Sequence, residues 1–302
     1  MTRPGPHYPM ETQHATHETH PMRWCIRREL WENRSIYLAP LIVAAMVIFG
    51  SMIGILGATK KFRNPLPDPA KQHSAIVKPF SMAPAPIMLT TFIVGMFFAI
   101  DALYGERRDR SILFWKSMPV SDTTTVLSKM SIPFLVLPTI GFALSIVAFF
   151  FLLFATTGWI MVNGINPARL WGEVQFIEEP MVMIYGLIVH SLWFAPIYAL
   201  LLLISAWAKR LPLLWVVLPP MAIAMFERMI FNTTYFSQFI KYRIVGAMGL
   251  AFRNSKQNGV IEYFTQLDPI RFLTSPGLWL GLFFAAAFLA AAIRLRHNRE
   301  PI

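Results

Sequence analysis

Apolar residues in this chain fall into six long runs, at 36–58, 84–103, 131–156, 181–207, 213–230 and 276–293. Each is close to the roughly 20 residues a helix needs to cross a hydrocarbon layer. The pattern predicts an all-α polytopic membrane protein. Gly50 and Gly54 in the first run form a small-residue pair that permits close helix contact. Gly277, Gly281 and Ala285 in the sixth recur every fourth residue and predict helix packing inside one subunit. Pro133 and Pro138 interrupt the third run near its start.

The polar stretches between the runs carry their own signals. Residues 22–31, MRWCIRRELW, set Trp24, Arg27, Arg28 and Trp31 at helical spacing. Such a helix lies in the membrane interface, rings in the acyl boundary and guanidinium groups among the headgroups. The competing reading is the end of a long first span. Residues 231–275 combine Phe231, Tyr235, Phe236, Phe239 and Tyr242 with Lys241 and Arg243, which predicts short external helices that dip into the interface. Residues 59–83 and 158–180 are the other two external segments. Residues 1–21, rich in Pro, Thr and His, read as a disordered tail. The remainder, 22–302, reads as one transmembrane domain.

Composition sharpens this picture. The chain is 55% hydrophobic and 14% charged, with a mean hydropathy of +0.50, whereas soluble domains carry about 25% charge. The net charge of +11 fits phosphate headgroups in so apolar a chain, not nucleic acid. Cys25 is the single cysteine and cannot form an internal disulfide. With both termini inside, fifteen of the 27 lysines and arginines flank the spans on the cytoplasmic side. The strongest votes are Lys209-Arg210 in a very short loop and Arg294 and Arg296 directly after the last run. The expected location is a bacterial inner membrane, with N- and C-termini cytoplasmic.

Several chemistries find no support in the sequence. There is no GxxxxGK[ST] phosphate loop, no GxSxG elbow and no zinc-spaced His/Cys cluster in the runs. His14, His17 and His20, near Glu11 and Glu18, read as a flexible polar leader more readily than as a metal site. Glu178-Glu179 resembles the paired glutamates of prenyl-protein-type intramembrane proteases, but Met183 stands where that pattern wants an arginine. Mid-span charge is scarce: His190 beside Ser191 reads as a polar contact between helices. Glu227 and Arg228 lie near the outer end of the fifth run and point about 100° apart on a helix.

The most informative stretch is 101–130, DALYGERRDRSILFWKSMPVSDTTTVLSKM. It holds a charge cluster (Arg107, Arg108, Asp109, Arg110), apolar knobs (Ile112, Leu113, Phe114, Trp115), a proline and a helix start capped by Ser121. A mere connection needs neither exposed rings nor a fresh helix. Here the chain resembles permease subunits of ABC exporters of the ABC-2 type, over about residues 22–297. The resemblance rests on the helix from Trp24 to Trp31, Glu106-Arg107, the segment from Ser111 to Lys116, Pro119-Val120-Ser121 and Lys129. In place of the Gly-Thr common after the Glu-Arg pair, this chain has Asp109-Arg110-Ser111.

The resemblance implies a cytoplasmic coupling helix between spans two and three, with Glu106, Arg107, Arg108, Asp109, Ile112, Phe114 and Trp115 contacting an ATPase. It implies two ATPase subunits, a second permease subunit (the same or a different chain), and ATP and Mg bound by the partner, this chain having no cofactor, metal or catalytic residue of its own. The substrate-binding residues stay unassigned. The competing functions are a membrane-embedded scaffold and an ion-coupled carrier, the latter disfavoured by the scarcity of mid-span charge.

Overall fold

The computed structural model describes residues 21–64, 67–112, 120–253 and 264–298. Among these residues the regular elements are helices, and an isolated bridge pairs Phe252 with Leu267. Six helical stretches are long and apolar enough to cross a membrane, and the chain is a multi-pass helical membrane protein. Their apolar cores are α2 (Ser35–Ile55), α5 (Pro84–Asp101), α8 (Leu137–Val162), α10 (Glu178–Trp207), α11 (Pro212–Phe231) and α14 (Pro276–Asn298). All six fall on the apolar runs. Outward-facing Met46, Phe49, Phe154 and Phe283 are largely exposed, as side chains toward lipid would be.

One end of the bundle, called basal here, gathers α1 (Pro21–Glu32), α6 (Tyr104–Arg108), α7 (Asp122–Ser131) and the end of α14. The distal end carries α3 (Ala58–Arg63), α4 (Pro69–Met82), α9 (Ala168–Glu173) and α13 (Pro269–Leu273). Helix α4 lies in what the polarity pattern left as an external segment. Its signal was local: Asp68 accepts from the amides of Ala70 and Lys71, and Pro69 fills the first helical position.

Helix α10 is the central post. Trp193, Tyr198, Ala199 and Leu202 on it are fully enclosed, against α5 on one side and α14 on the other. His190 sits in the same layer, with Nε2 3.3 Å from the Tyr198 hydroxyl and its ring against Phe92 and Phe194. Both residues lie on α10, so this hydrogen bond runs along one helix and not between helices as expected; what reaches another helix is the ring contact with Phe92 of α5. Helix α11 is the opposite case: Pro212 is its sole buried residue.

The two prolines of the third run have a definite effect. Pro133 cannot donate a backbone hydrogen bond, and the ladder around it widens into a π-helical turn, Ile132–Val136, joining α7 to α8. A Cβ on Gly95 would lie 3.2 Å from Pro133 and 3.3 Å from Tyr198, so this glycine lets α5 close on the turn.

The segment after α11 is held by charge. Asn232, in the left-handed region (φ 50°), ends α11. Glu227 then accepts from the amides of Tyr235 (2.7 Å) and Phe236 (2.9 Å) and from the Thr233 hydroxyl (2.9 Å). It thereby caps α12 (Tyr235–Ala251). Farther along α12, the Arg243 guanidinium donates to the carbonyls of Trp193 (2.5 Å) and Gly277 (3.1 Å). It also lies 4.5 Å from the Trp193 ring centroid. A Cβ on Gly281 would come within 2.8 Å of Arg243 Nη1, and one on Gly277 within 2.6 Å of the Tyr242 hydroxyl. The glycine ladder of the last span is therefore a seat for two side chains of α12. A Cβ at Gly50 or Gly54 would meet nothing within 4 Å, so that pair makes no close helix contact within this chain.

Two outcomes follow from these contacts. Gly281→Ala should displace Arg243 and lower stability by about 1–3 kcal/mol, while Gly50→Ala should leave the detergent-solubilised thermal transition in place. Glu227→Ala should speed hydrogen exchange at the Tyr235 and Phe236 amides, with little change in α14; unchanged exchange there would show that the cap does not hold α12.

Candidate functional site

The basal end contains a buried ionic cluster assembled from four separate elements. Glu106, on α6, is its centre. Its Oε1 lies 3.2 Å from Arg28 Nη2 of α1 and 3.2 Å from Lys129 Nζ of α7, and its Oε2 accepts from Arg296 Nη2 of α14 at 3.0 Å. Lys129 also reaches Glu29 Oε1 at 2.8 Å, and Arg28 pairs with Glu29 and Glu32. Arg296 pairs in addition with Asp122, at the first turn of α7, and Asp122 Oδ2 lies 3.2 Å from His297 Nδ1. Glu29, Glu106, Lys129 and Arg296 are all buried. At Arg28 burial opposes the charge, but the carboxylates of Glu29, Glu32 and Glu106 outweigh it and raise the pKa above the ordinary arginine value.

The local sequence explains how these groups arrive together. α5 ends at Asp101 and α6 begins at Tyr104, because the Ser205 hydroxyl of α10 accepts from the amides of Leu103 (3.0 Å) and Tyr104 (2.9 Å). The jog turns Glu106 inward. Arg107 follows it in, donating to the carbonyls of Ser205 (3.2 Å) and Ala208 at the C-terminal end of α10. A cation is favoured there by the unpaired carbonyls and the helix dipole. On the far side of the 101–130 stretch, the Ser121 hydroxyl accepts from the Thr124 amide at 3.1 Å and starts α7 as predicted. Lys129 then points back to Glu106.

The predicted contact residues therefore divide into groups. Glu106 and Arg107 are buried and spend their charges on this chain's own helices. Arg108 and Asp109 are exposed and paired at 2.9 Å, and the hydrogen-bonded guanidinium holds the Asp109 carboxyl below its usual range. Ile112 is buried beside Leu103 and Arg107. Phe114 and Trp115 lie outside the described residues, as do Leu113, Lys116 and Pro119. On α1, Trp24 and Trp31 are exposed with the Arg27 guanidinium 5.8 and 4.6 Å from their ring centroids, while Arg28 faces the cluster. The His-rich stretch containing His14, His17 and His20 also lies outside the described residues; among those described, no three His, Cys, Asp or Glu side chains are grouped to hold a metal ion.

No protein-family model, curated protein or solved structure matches the chain. The ionic cluster ties the basal ends of α1, α6, α7 and α14 into one electrostatic unit. Sequence reasoning missed Glu29, Asp122 and Arg296 as members, and Ser205 as the group that holds the α5–α6 jog. The spacing of Arg28, Glu29 and Glu32 on a short helix was the local signal, since those charges fall within one turn of one another.

Removing one member of such a cluster leaves its partners charged and desolvated, at a cost of about 3–5 kcal/mol. Glu106→Ala should therefore lower the folded yield and thermal stability sharply. The double variant Glu106→Gln, Lys129→Gln should recover a good part of the loss, as a double-mutant cycle in detergent would show. Additive losses would mean that the two groups do not share a site.

Proposed function

We propose that this chain is the transmembrane permease subunit of an ATP-driven exporter of the ABC-2 type, working with two ATPase subunits and a second permease subunit. The observation that carries the reading is the place of the ionic cluster. Residues 113–119 are flanked by the buried Ile112 and by Ser121, the cap of α7. Glu106, six residues before Ile112, and Asp122, directly after Ser121, enter the same buried knot, while Arg108, Asp109 and Arg110 between Glu106 and Ile112 are exposed. A push on residues 113–119 would be delivered to α6 and α7 together, and through Arg296 and Arg28 to the last span and α1. A subunit that receives force from a partner needs such a stiff junction, and a plain connecting loop does not.

Other features support the same reading. The basal end is the cytoplasmic one in this scheme, with Lys209-Arg210 at its surface. Helix α1, with Arg27 held between two exposed tryptophans, is suited to lie in the headgroup layer. Helix α11 leaves nearly all its apolar surface uncovered by this chain, which suits a helix that borders lipid and a second subunit. Arg108 and Asp109, exposed beside the exit of the stretch, are the charges placed to meet an ATPase.

Phe114 and Trp115 provide the test. Burying an aromatic ring is worth about 1.5–3 kcal/mol, so the double replacement Phe114→Ala, Trp115→Ala should weaken ATPase association by at least tenfold in a detergent pull-down. The chain should still insert and purify. Full retention of the ATPase by the double variant would remove the coupling role of this stretch, and an ATPase that never co-purifies with the native chain would remove the exporter reading.

A further inference from the structure

Beside the ionic cluster lies a cleft of about 820 Å³, between α1 with the turn that follows it and one stripe of the α5–α6 pair. The stripe recurs at helical spacing through Val94, Phe98, Asp101, Gly105 and Asp109 and spans about 20 Å. Its character changes along that length. Toward the middle of the bundle the wall is Val94, Phe97 and Phe98; toward the basal end it is Glu32, Asp101 and Asp109. The charges in the floor, Arg28, Glu29, Glu106 and Lys129, are spent on one another.

The lining thus holds five carboxylates against two cations, Arg28 and Lys129. Counting the bordering Arg108, Arg296 and Asp122 leaves it still negative, in a chain whose net charge is +11. Glu32 pairs with Arg28, and Asp101 and Asp109 with Arg108, but all three side chains are more than 45% exposed, so each can turn from its guanidinium toward an incoming group. Phe97, 60% exposed, stands at the apolar end, open to the surroundings of the bundle.

We propose that this cleft binds hydrophobic organic cations, with the apolar body against Phe97 and Val94 and the positive charge among Glu32, Asp101 and Asp109. On the exporter reading above, it is where a substrate of that class enters from the cytoplasmic leaflet. A cation moving from the headgroup region meets the carboxylates without leaving a polar environment, and its apolar part stays on a wall continuous with the lipid. An anion of the same shape meets the same wall and the opposite charge.

The probe is radiolabelled tetraphenylphosphonium, with tetraphenylborate measured separately as its counterpart of like shape and opposite charge. Equilibrium binding to the full-length chain in zwitterionic-lipid nanodiscs, corrected by empty discs, needs no ATPase. Saturable binding of the cation at one site per chain is expected, with no saturable binding of the anion. The double variant Asp101→Asn, Asp109→Asn should raise Kd about tenfold with an unchanged thermal transition, since both side chains are exposed and pair with the exposed Arg108, outside the buried cluster. Absence of saturable cation binding, saturable binding of the anion, or an unaltered Kd in the variant would each overturn the proposal. Because the partner is absent, cation binding with no ATPase association would keep the cleft and discard the exporter reading, and the reverse pair of results would do the opposite.

Discussion

A carboxylate shared by three cations, away from water, is the constraint on which the basal half of this protein depends. Charges inside a low-dielectric interior are tolerated when each is matched and hydrogen-bonded, and they become costly when one partner is lost. Glu106 meets that condition through Arg28, Lys129 and Arg296, which lie 78, 23 and 190 residues away along the chain. No two-helix subset of the bundle can satisfy it. The relative positions of α1, α6, α7 and α14 are therefore fixed together, while the apolar packing of α10 against α5 and α14 sets the rest.

The distal half solves a related problem by a different route. Arg243 carries a charge to a point midway along α10, yet its hydrogen-bond acceptors there are backbone carbonyls and its other neighbour is an indole ring. Carbonyl dipoles and the ring quadrupole stabilise the cation without introducing a carboxylate. Glu227 does the converse for two backbone amides at the start of α12. Both devices join a polar side chain to a helix backbone, and together they hold α12 beside a span, α11, that otherwise touches little of the bundle.

Much of the fold was legible in the sequence because hydrophobic run length reports directly on spanning helices. All six spans coincide with apolar runs, and Ser121 announced its helix by cap chemistry. Sheer separation in sequence hid the rest. Lys129 and Glu106 sit on either side of one polar stretch, but nothing local says that they face each other, and Arg296 reads as an ordinary charge flanking a span. Ser205 looked like one more small residue in an apolar run until it met the two amides of the α5–α6 jog. The glycine pairs show the limit of pattern: Gly50 and Gly54 share the spacing of Gly277 and Gly281, yet only the latter pair accommodates side chains of another helix.

The seat of Arg243 also sets an order of events during synthesis. One of its carbonyl acceptors, on Trp193, belongs to a helix made earlier; the other, on Gly277, belongs to the last span, made later. The basal cluster likewise waits for Arg296, near the end of the same helix. Until the final span enters the bilayer, Arg243 lacks one of its two carbonyl acceptors and Glu106 lacks one of its three cations. Insertion of α14 supplies the two missing contacts at once, so the nascent chain has no completed intermediate at five spans, and the last helix locks both ends of the molecule.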